Sequence, residues 1–355
     1  MFKRLMRAGP RLSRGVIAWL AGLASCGYVV LFIAGKALLP AFLFRDADKI
    51  QAQMNGASTY DGSSFDAVGK FYAVFGPSLL NVFVMAMWFI CAMLIRVRHA
   101  GALGMALLFG APCVFFNLFV ASKDTLVFAM ALIIVWTLRK GHTQWTASVA
   151  LAAYFAYALL VRRYFLLIFA SAAWVWLFRR ARPSTRIVLV GAVLLGLFLL
   201  PSEAYMALLH SRDMAVDHLV YQSPYGARTS FYNLLPPDSF VTFCIDYLYA
   251  IVRLHMPILF SPDPRGIAMQ GFVIAAWCAT RPSRRATDRD PAMGVLACLL
   301  MGHMVVSMLF EPDLGSYVRH LSSVSIFCMA LFAANAPAAR FEHSDDQRTS
   351  ERLLK

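Results

Sequence analysis

Residues 16–34 read VIAWLAGLASCGYVVLFIA, an apolar run in which no side chain carries a charge. About 20 consecutive apolar residues is the length that a helix needs to cross a bilayer. The basic residues before this run would also suit a secretory signal peptide, and residues 23–26, LASC, resemble a lipoprotein cleavage site. The run nevertheless stays apolar past Cys26 as far as residue 34, so we expect an uncleaved first membrane span.

The composition of the whole chain agrees with a membrane protein. Of its 355 residues, 60% are hydrophobic and 15% are charged, whereas about a quarter of the residues of a soluble domain are charged. This excludes an ordinary soluble enzyme, a disordered protein and a disulfide scaffold. The seven cysteines form no CxxC pair, so the sequence predicts neither a zinc site nor a redox site. The net charge of +14 is divided among short clusters between apolar runs, so we expect no nucleic-acid binding.

Apolar runs separated by short polar segments continue along the chain. We predict an all-α fold, a polytopic transmembrane helical bundle of about ten spans. A single integral membrane domain covers residues 1–339, and the polar residues 340–355 form a tail. The predicted spans are 16–34, 76–95, 101–120, 125–138, 145–161, 164–178, 187–208, 264–280, 291–310 and 317–336.

Loop charges set the predicted orientation. With both termini in the cytoplasm, the cytoplasmic segments hold more than half of the 33 Lys and Arg residues. This agrees with the positive-inside rule, by which cytoplasmic loops carry an excess of Lys and Arg. The stretch 240–260 is also apolar, but it carries Asp246, Arg253 and His255, and charges at the bilayer centre are costly. Counting this stretch as a span would also move the basic loop 281–289 to the other side. We therefore expect a re-entrant or interfacial helix there, within one long external loop, 209–263.

Two of the external turns are very short and carry cations against the ends of spans. In the turn Ser122-Lys123-Asp124, we expect Lys123 to contact a phosphate and Asp124 to act as its orienting partner or as a base; the alternative is that Ser122 or Asp124 caps the next helix. Arg162 and Arg163 are expected to clamp an anionic headgroup, because guanidinium groups suit bidentate phosphate contacts. The alternative is that both arginines reach for lipid headgroups.

The last external loop places two carboxylates and two cations close together. Glu311, Asp313 or His320 could serve as a general base, and Arg319 could stabilise an anion. The alternative is a structural ion pair between Asp313 and Arg319.

The long loop 209–263 is interrupted by prolines and reads as a lid built from short helices. Arg212 and Arg228 are its candidate substrate-binding residues. Its histidines lack the spacing of metal ligands on one helix face, so we expect no metal.

These features together predict a site that is external, rich in cations and at membrane depth. No Walker A or dinucleotide glycine pattern occurs in the sequence, so nucleotide chemistry is not expected. A substrate that is membrane-bound, anionic and external fits this description, and a polyprenyl diphosphate carrying sugars has all three properties. Cations would stabilise the leaving diphosphate, and a carboxylate or a histidine would accept the proton of the attacking hydroxyl. The bond to phosphate supplies the energy, so no cofactor is required.

Several short segments resemble a known family. They are residues 122–124 with 138–140, residues 64–72, and residues 311–313 with 319–320. They are similar to the bacterial O-antigen and exopolysaccharide polymerases of the Wzy type, and the resemblance covers residues 45–140 and 300–330.

The resemblance implies a multi-pass protein of the bacterial inner membrane that joins lipid-linked oligosaccharide repeats on the external face. Its implied partners are that substrate, membrane lipids and other polysaccharide assembly proteins.

Two other functions stay open at this point. Multispanning glycosyltransferases that use a polyprenyl-phosphate sugar place an acidic pair in the first external loop, where this chain has Asp46 and Asp48. A transporter of lipid-linked sugars would need charged residues along a path through the bilayer.

The predicted topology can be tested with compartment reporters. A reporter fused after Lys123 is expected to lie outside the membrane, and one fused after Arg285 is expected in the cytoplasm, because basic loops stay inside. Alkaline phosphatase and green fluorescent protein fusions measure this directly. Finding both positions in one compartment would contradict the topology.

Overall fold

The architecture comes from a computed structural model that describes residues 8–95, 97–138, 143–222, 228–282 and 291–335. Within these ranges the chain forms sixteen α-helices and no strand, apart from an isolated backbone bridge between Arg11 and His99. The prediction of an all-α fold is therefore confirmed. The predicted tail 340–355 lies outside the described residues.

The helices follow one another with short connections. The first eight are α1 (Arg14–Leu38), α2 (Arg45–Met54), α3 (Ser64–Ala73), α4 (Gly76–Leu94), α5 (Ala100–Cys113), α6 (Lys123–Leu138), α7 (Thr143–Leu160) and α8 (Phe165–Arg180). The others are α9 (Pro183–Phe198), α10 (Ser202–Asp217), α11 (Phe240–His255), α12 (Pro257–Phe260), α13 (Pro264–Ala279), α14 (Ala292–Phe310), α15 (Leu314–Ser322) and α16 (Ser325–Asn335). A π turn, Val114–Leu118, extends α5, and another, His218–Gln222, extends α10.

Several helices could cross a membrane, but the predicted number of about ten spans is not confirmed. Among the described residues, four are long and apolar enough: α1, α4, α5 with its π turn, and α14. Two bent pairs, α9 with α10 and α15 with α16, would raise the number to six. Helices α6, α7, α8 and α13 have 16 to 18 residues. At 1.5 Å per residue they extend about 24 to 27 Å, less than the roughly 30 Å hydrocarbon core.

Two of the predicted spans are not continuous helices. The predicted span 187–208 is broken between α9 and α10, whose axes differ by 92°. Pro201 lies at this break, and proline lacks the N–H that a continuing helix requires. The predicted span 317–336 is bent by 56° between α15 and α16.

Helix α14 is the centre of the bundle and is buried along most of its length. It packs closely against α8 at Gly302, where a Cβ atom would lie 2.5 Å from the carbonyl oxygen of Ile168 and 3.3 Å from the Cβ atom of Ala172. Only a residue without a side chain permits this approach. The distance between the two backbones therefore depends on Gly302.

Ion pairs between residues at the helix termini bring several helix ends together at one end of the bundle. We call this the site end: α6, α8 and α15 begin there, and α7 and α14 end there. Helices α2 and α3 lie at the same end, because the Tyr72 hydroxyl donates a hydrogen bond of 2.8 Å to the carbonyl of Ser122. The turns that the sequence predicts to be external thus meet at one end of the molecule.

Residues 240–260 form α11 and α12, so this stretch is helical as predicted. Its charged side chains, however, do not provide the expected argument against a membrane position. Asp246 is fully buried, and its Oδ1 atom accepts hydrogen bonds from the backbone N–H groups of Leu234 (2.7 Å) and Leu235 (3.2 Å). Arg253 donates to the backbone carbonyls of residues 229 and 230. Because these side chains face protein, the cost of charge in lipid does not by itself exclude a membrane position for α11.

The close approach of α8 and α14 predicts a stability effect. Gly302→Ala is expected to lower the melting temperature of the detergent-solubilised protein, since overpacking a core costs about 1–3 kcal/mol. Gly191→Ala on α9 is the matched control, because no atom lies within 4 Å of a Cβ placed there. Equal melting temperatures for the two variants would show that the α8–α14 contact tolerates a methyl group.

Candidate functional site

Seven ionisable side chains meet at the site end, and we call them the charged cluster. They come from α2, from the start of α6, from the α7–α8 turn, from the α14–α15 turn and from α15. The members are Asp46, Lys123, Asp124, Arg162, Glu311, Arg319 and His320. The cluster thus unites residues from both ends of the sequence. Six of its members are among the site residues that the sequence predicts, and the exception is Asp46.

Asp124 is the centre of the cluster and is only 2% exposed. Its Oδ1 atom lies 3.5 Å from Nη1 of Arg162, and its Oδ2 atom lies 3.5 Å from Nε of Arg319 and 3.7 Å from Nε2 of His320. Burial by itself disfavours a carboxylate, whereas two neighbouring guanidinium groups favour it. The arrangement therefore holds Asp124 in its charged form.

Arg319 joins α2 to this centre. Its Nη1 atom lies 2.9 Å from Oδ2 of Asp46, while its Nε atom faces Asp124. Burial would raise the pKa of Asp46, but Arg319, together with Lys123 and other neighbouring cations, more than offsets this and holds the pKa well below its ordinary value. Asp46 is consequently a second permanent negative charge in the cluster.

His320 and Glu311 form a dyad at the edge of the cluster. Nδ1 of His320 is hydrogen-bonded to Oε1 of Glu311, and its Nε2 atom lies 3.5 Å from Nη1 of Arg162 and 3.5 Å from Nη2 of Arg319. Guanidinium groups can only donate, so Nε2 accepts from them and the ring proton lies on Nδ1, facing Glu311. Burial would raise the pKa of Glu311, but His320 and Arg319 lower it below its ordinary value. The dyad directs a nitrogen lone pair into the cluster.

The turn that carries Lys123 and Asp124 is fixed by local hydrogen bonds. The Ser122 Oγ atom accepts from the backbone N–H of Thr125 at 3.2 Å, and the Thr125 Oγ1 atom accepts from that of Ser122 at 2.8 Å. The alternative that Ser122 caps α6 is thereby confirmed. Asp124 does not share this role, and its side chain faces the cluster instead. The Tyr157 hydroxyl donates to the carbonyl of Lys123 at 3.2 Å and anchors the turn to α7.

Four of the predicted site residues lie outside the cluster: Asp313, Arg163, Arg228 and Arg212. Asp313 is the N-cap of α15, where its Oδ1 atom accepts from the backbone N–H of Ser316 at 2.9 Å. The alternative ion pair of Asp313 with Arg319 is wrong, because Arg319 is paired with two other carboxylates. Arg163 is exposed beside the buried cluster. Arg228 forms an exposed ion pair with Asp263 at 3.3 Å.

Arg212 is fully buried and holds a loop instead of facing an open site. Its Nη1 atom donates to Oδ1 of Asn233 at 2.8 Å, and its Nη2 atom donates to the carbonyl of Met308 on α14. Asn233 belongs to residues 229–235, which we call the strap. The backbone N–H of Phe231 in the strap donates to the carbonyl of Pro312 at 3.1 Å. Arg212 therefore ties the strap to the end of α14, beside the loop that carries Glu311.

The sequence interpretation missed part of the site. Asp46 entered it only as half of an acidic pair, and the structure separates that pair: Asp48 is exposed and lies 2.9 Å from Nζ of Lys36. Lys49 was not singled out either. Asp46, Lys49, Ile50 and Gln53 are spaced as one face of α2, and the last two are buried. This spacing was the available signal, because residues three and four apart share a helix face.

A cavity of about 370 Å³ lies at the opposite end of the bundle from the cluster. It is lined by apolar side chains of α4, α5, α6, α14 and α16, among them Leu138, Met293 and Phe332. It offers no charged group for an anionic substrate, so we assign the functional site to the charged cluster.

Within the described ranges, no group of three or more His, Cys, Asp or Glu side chains is arranged to hold a metal ion. Comparison with known protein families, curated proteins and solved structures finds no match to this chain. The function must therefore be argued from the geometry of the cluster.

The role of Arg212 predicts that replacing this buried arginine lowers thermal stability more than replacing the exposed Arg228. Arg212→Met removes the donor to the carbonyl of Met308 and to Asn233, and each buried group left without a partner costs about 1–3 kcal/mol. Arg228→Met removes an exposed ion pair worth roughly 0–1 kcal/mol. Thermal unfolding of the purified variants is expected to show a large loss for the first and almost none for the second. An Arg212 variant that is inactive but melts like the wild type would instead place Arg212 on the substrate.

Proposed function

We propose that this protein is a membrane-embedded glycosyl-transferring enzyme that polymerises polyprenyl-diphosphate-linked oligosaccharide repeats into a surface polysaccharide. The observation that carries the proposal is the position of His320: its Nε2 atom lies among Arg162, Arg319 and Asp124, while Glu311 holds the other ring nitrogen. A base oriented by a carboxylate, in a cluster that also contains Lys123, suits a reaction in which a hydroxyl attacks and an anion leaves.

The surroundings of the cluster favour a lipid-linked substrate. Helices α1, α4 and α9 expose large apolar side chains such as Trp19, Val82 and Ile187. An apolar exterior of this extent suits a hydrocarbon environment rather than water. A substrate with a lipid anchor would reach the site end from the membrane and present its polar head to the cluster.

The proposed reaction is a direct transfer. The acceptor sugar hydroxyl gives its proton to Nε2 of His320, and its oxygen forms a new bond to the anomeric carbon of the donor. The bond between that carbon and the diphosphate oxygen breaks, and the diphosphate leaves with the electron pair. Glu311 stabilises the imidazolium that forms, since a carboxylate on Nδ1 favours the protonated ring. Positioning and charge stabilisation supply the catalysis, and no cofactor takes part.

The proposal includes the finer topology that the sequence predicts. In it the chain crosses the bacterial inner membrane about ten times, both termini are cytoplasmic and the cluster faces the outside. Because the substrate is made by other proteins and its product is carried onward, we also propose partners among the polysaccharide assembly proteins.

One alternative is a glycosyltransferase that uses a polyprenyl-phosphate sugar as donor. Asp46 favours it, because it is an ionised carboxylate of the first polar segment that lies beside Arg319. Asp48 does not, since it lies on the surface with Lys36. A transporter of lipid-linked sugars is less favoured, because the members of the cluster gather at one end of the bundle.

The base can be identified with three variants in a strain that lacks the chromosomal gene. His320→Gln and Glu311→Gln are expected to lower polymerisation about 10²- to 10⁴-fold, the usual contribution of a general base. Asp313→Asn is expected to retain activity, because asparagine caps a helix as well as aspartate does. Gel electrophoresis of the surface polysaccharide reports the chain lengths. Long chains made by the His320 variant, with none made by the Asp313 variant, would move the base to Asp313.

The two enzymatic hypotheses differ in their donor. Purified protein is expected to consume a diphosphate-linked oligosaccharide and to leave a monophosphate-linked monosaccharide unchanged, as thin-layer chromatography of the labelled lipids would show. Consumption of the monophosphate donor alone would favour the glycosyltransferase.

A further inference from the structure

The charges of the cluster are nearly balanced within the protein. Asp124 contacts Arg162 and Arg319, Asp46 contacts Arg319, and Glu311 contacts His320. Both arginines are thus already neutralised by carboxylates of the same chain. A guanidinium held this way has little charge left for a substrate, because the ion pair would have to break first.

Two lysines differ from these arginines: Lys123 of the cluster and Lys49 beside it. Lys123 is 6% exposed, and its Nζ atom donates to Oγ of Ser64 at 3.3 Å and lies 3.4 Å from the centroid of the Phe65 ring. Nζ of Lys49 lies 5.1 Å from the same ring and 5.2 Å from the ring of Tyr60. In the described part of the chain, no carboxylate lies within 4.0 Å of either ammonium group.

The aromatic neighbours alone do not offset the free-energy cost of removing either ammonium group from water. A contact between an ammonium group and an aromatic ring contributes about 0.5–2 kcal/mol, whereas taking a charge out of water costs several kcal/mol. A buried ammonium with one hydroxyl partner also retains unused donors, since lysine has three. Asp46 and Asp124 act on Lys123 only at longer range, so its ammonium group can still accept an anion in direct contact.

We propose that Lys49 and Lys123 bind the phosphate groups of the substrate beside Phe65, while Arg162 and Arg319 hold the carboxylates of the protein. This assignment rests on the proposed function, because it names the part of the cluster that receives the lipid-linked diphosphate. Ser64 is the third ligand: its Oγ atom accepts from Lys123, so its hydroxyl hydrogen is available to a phosphate oxygen. Lysine suits this role as a compact, mobile charge.

The proposed subsite is built from three elements that are packed against one another. Lys49 lies on α2, Ser64 begins α3 and Lys123 begins α6. Helices α2 and α3 approach closely at Gly69, where a Cβ atom would lie 2.7 Å from the Cβ atom of Gln53 and 3.4 Å from the carbonyl oxygen of Ile50. The positions of Lys49 and Ser64 relative to each other are therefore set by helix packing.

The test measures binding, which does not depend on turnover. Full-length protein in nanodiscs is titrated with a polyprenyl diphosphate, with the matching polyprenol and with inorganic pyrophosphate. The variants are Lys49→Gln, Lys123→Gln and Lys123→Arg, and the matched control is Lys70→Gln on α3. Lys70 is exposed and pairs with Asp66 at 2.8 Å, away from the cluster. Melting temperatures show that each variant is folded.

We expect each lysine-to-glutamine change to weaken binding of the polyprenyl diphosphate about 10- to 100-fold, the loss of one charge-assisted hydrogen bond. Lys70→Gln should bind as the wild type does, Lys123→Arg should recover part of the affinity, and the polyprenol should bind equally to all forms. Lys49 is half-buried, so its variant tests the subsite even where the Lys123 variant fails to fold.

Other outcomes overturn the assignment in distinguishable ways. Wild-type affinity in both glutamine variants, with a loss in Arg162→Gln, would move the diphosphate to the arginines and leave the proposed function intact. Inorganic pyrophosphate that binds as tightly as the lipid, and with the same dependence on the lysines, would identify a soluble anion as the ligand. Lysine-dependent binding of the lipid together with unchanged polysaccharide chains in the gene deletion would keep the subsite and reject the polymerase.

Discussion

The site end depends on the ion pairs that the buried carboxylate of Asp124 forms with Arg162 and Arg319. The carboxylate is held by side chains from the α7–α8 turn and from α15, which are otherwise separate parts of the molecule. Breaking a buried ion pair by removing one partner costs about 3–5 kcal/mol, because the remaining charge is left without compensation. The same contacts that keep Asp124 charged also set the positions of Arg319 and His320. Stability and chemistry are therefore coupled at this residue.

The strap and the cluster form one continuous arrangement. Arg212 fixes the strap to the end of α14, and Phe231 of the strap holds the carbonyl of Pro312, the residue after Glu311. Glu311 in turn orients His320. A buried, hydrogen-bonded network of this kind restricts the imidazole to one orientation, which the proposed role of His320 as proton acceptor requires.

The sequence was a good guide to where charges gather and a poor guide to how they pair. Charges in short turns between apolar runs can lie only at helix ends, so residues 122–124, 162 and 311–320 could be placed together without a structure. The pairing depends on which helices are neighbours and how each is rotated. Helix α6 is apolar on every side, so its sequence does not reveal that rotation. For the same reason Asp313, Arg212 and Arg228 were placed in the site by their charge alone, while Asp46 and Lys49 were undervalued.

Hydropathy also concealed the breaks in the helices. A window over residues 187–208 averages two helices whose axes differ by 92°, because the side chains around Pro201 are as apolar as those of a straight span. The backbone, and not the side chains, determines this bend.

The order of the cluster along the chain has a consequence for biogenesis. Asp46 and Asp124 emerge from the ribosome well before Glu311, Arg319 and His320. Until α15 docks, both early carboxylates lack Arg319, and Asp124 has Arg162 as its guanidinium partner. The charged cluster is therefore complete only after α14 and α15 have been made and have packed against the earlier helices.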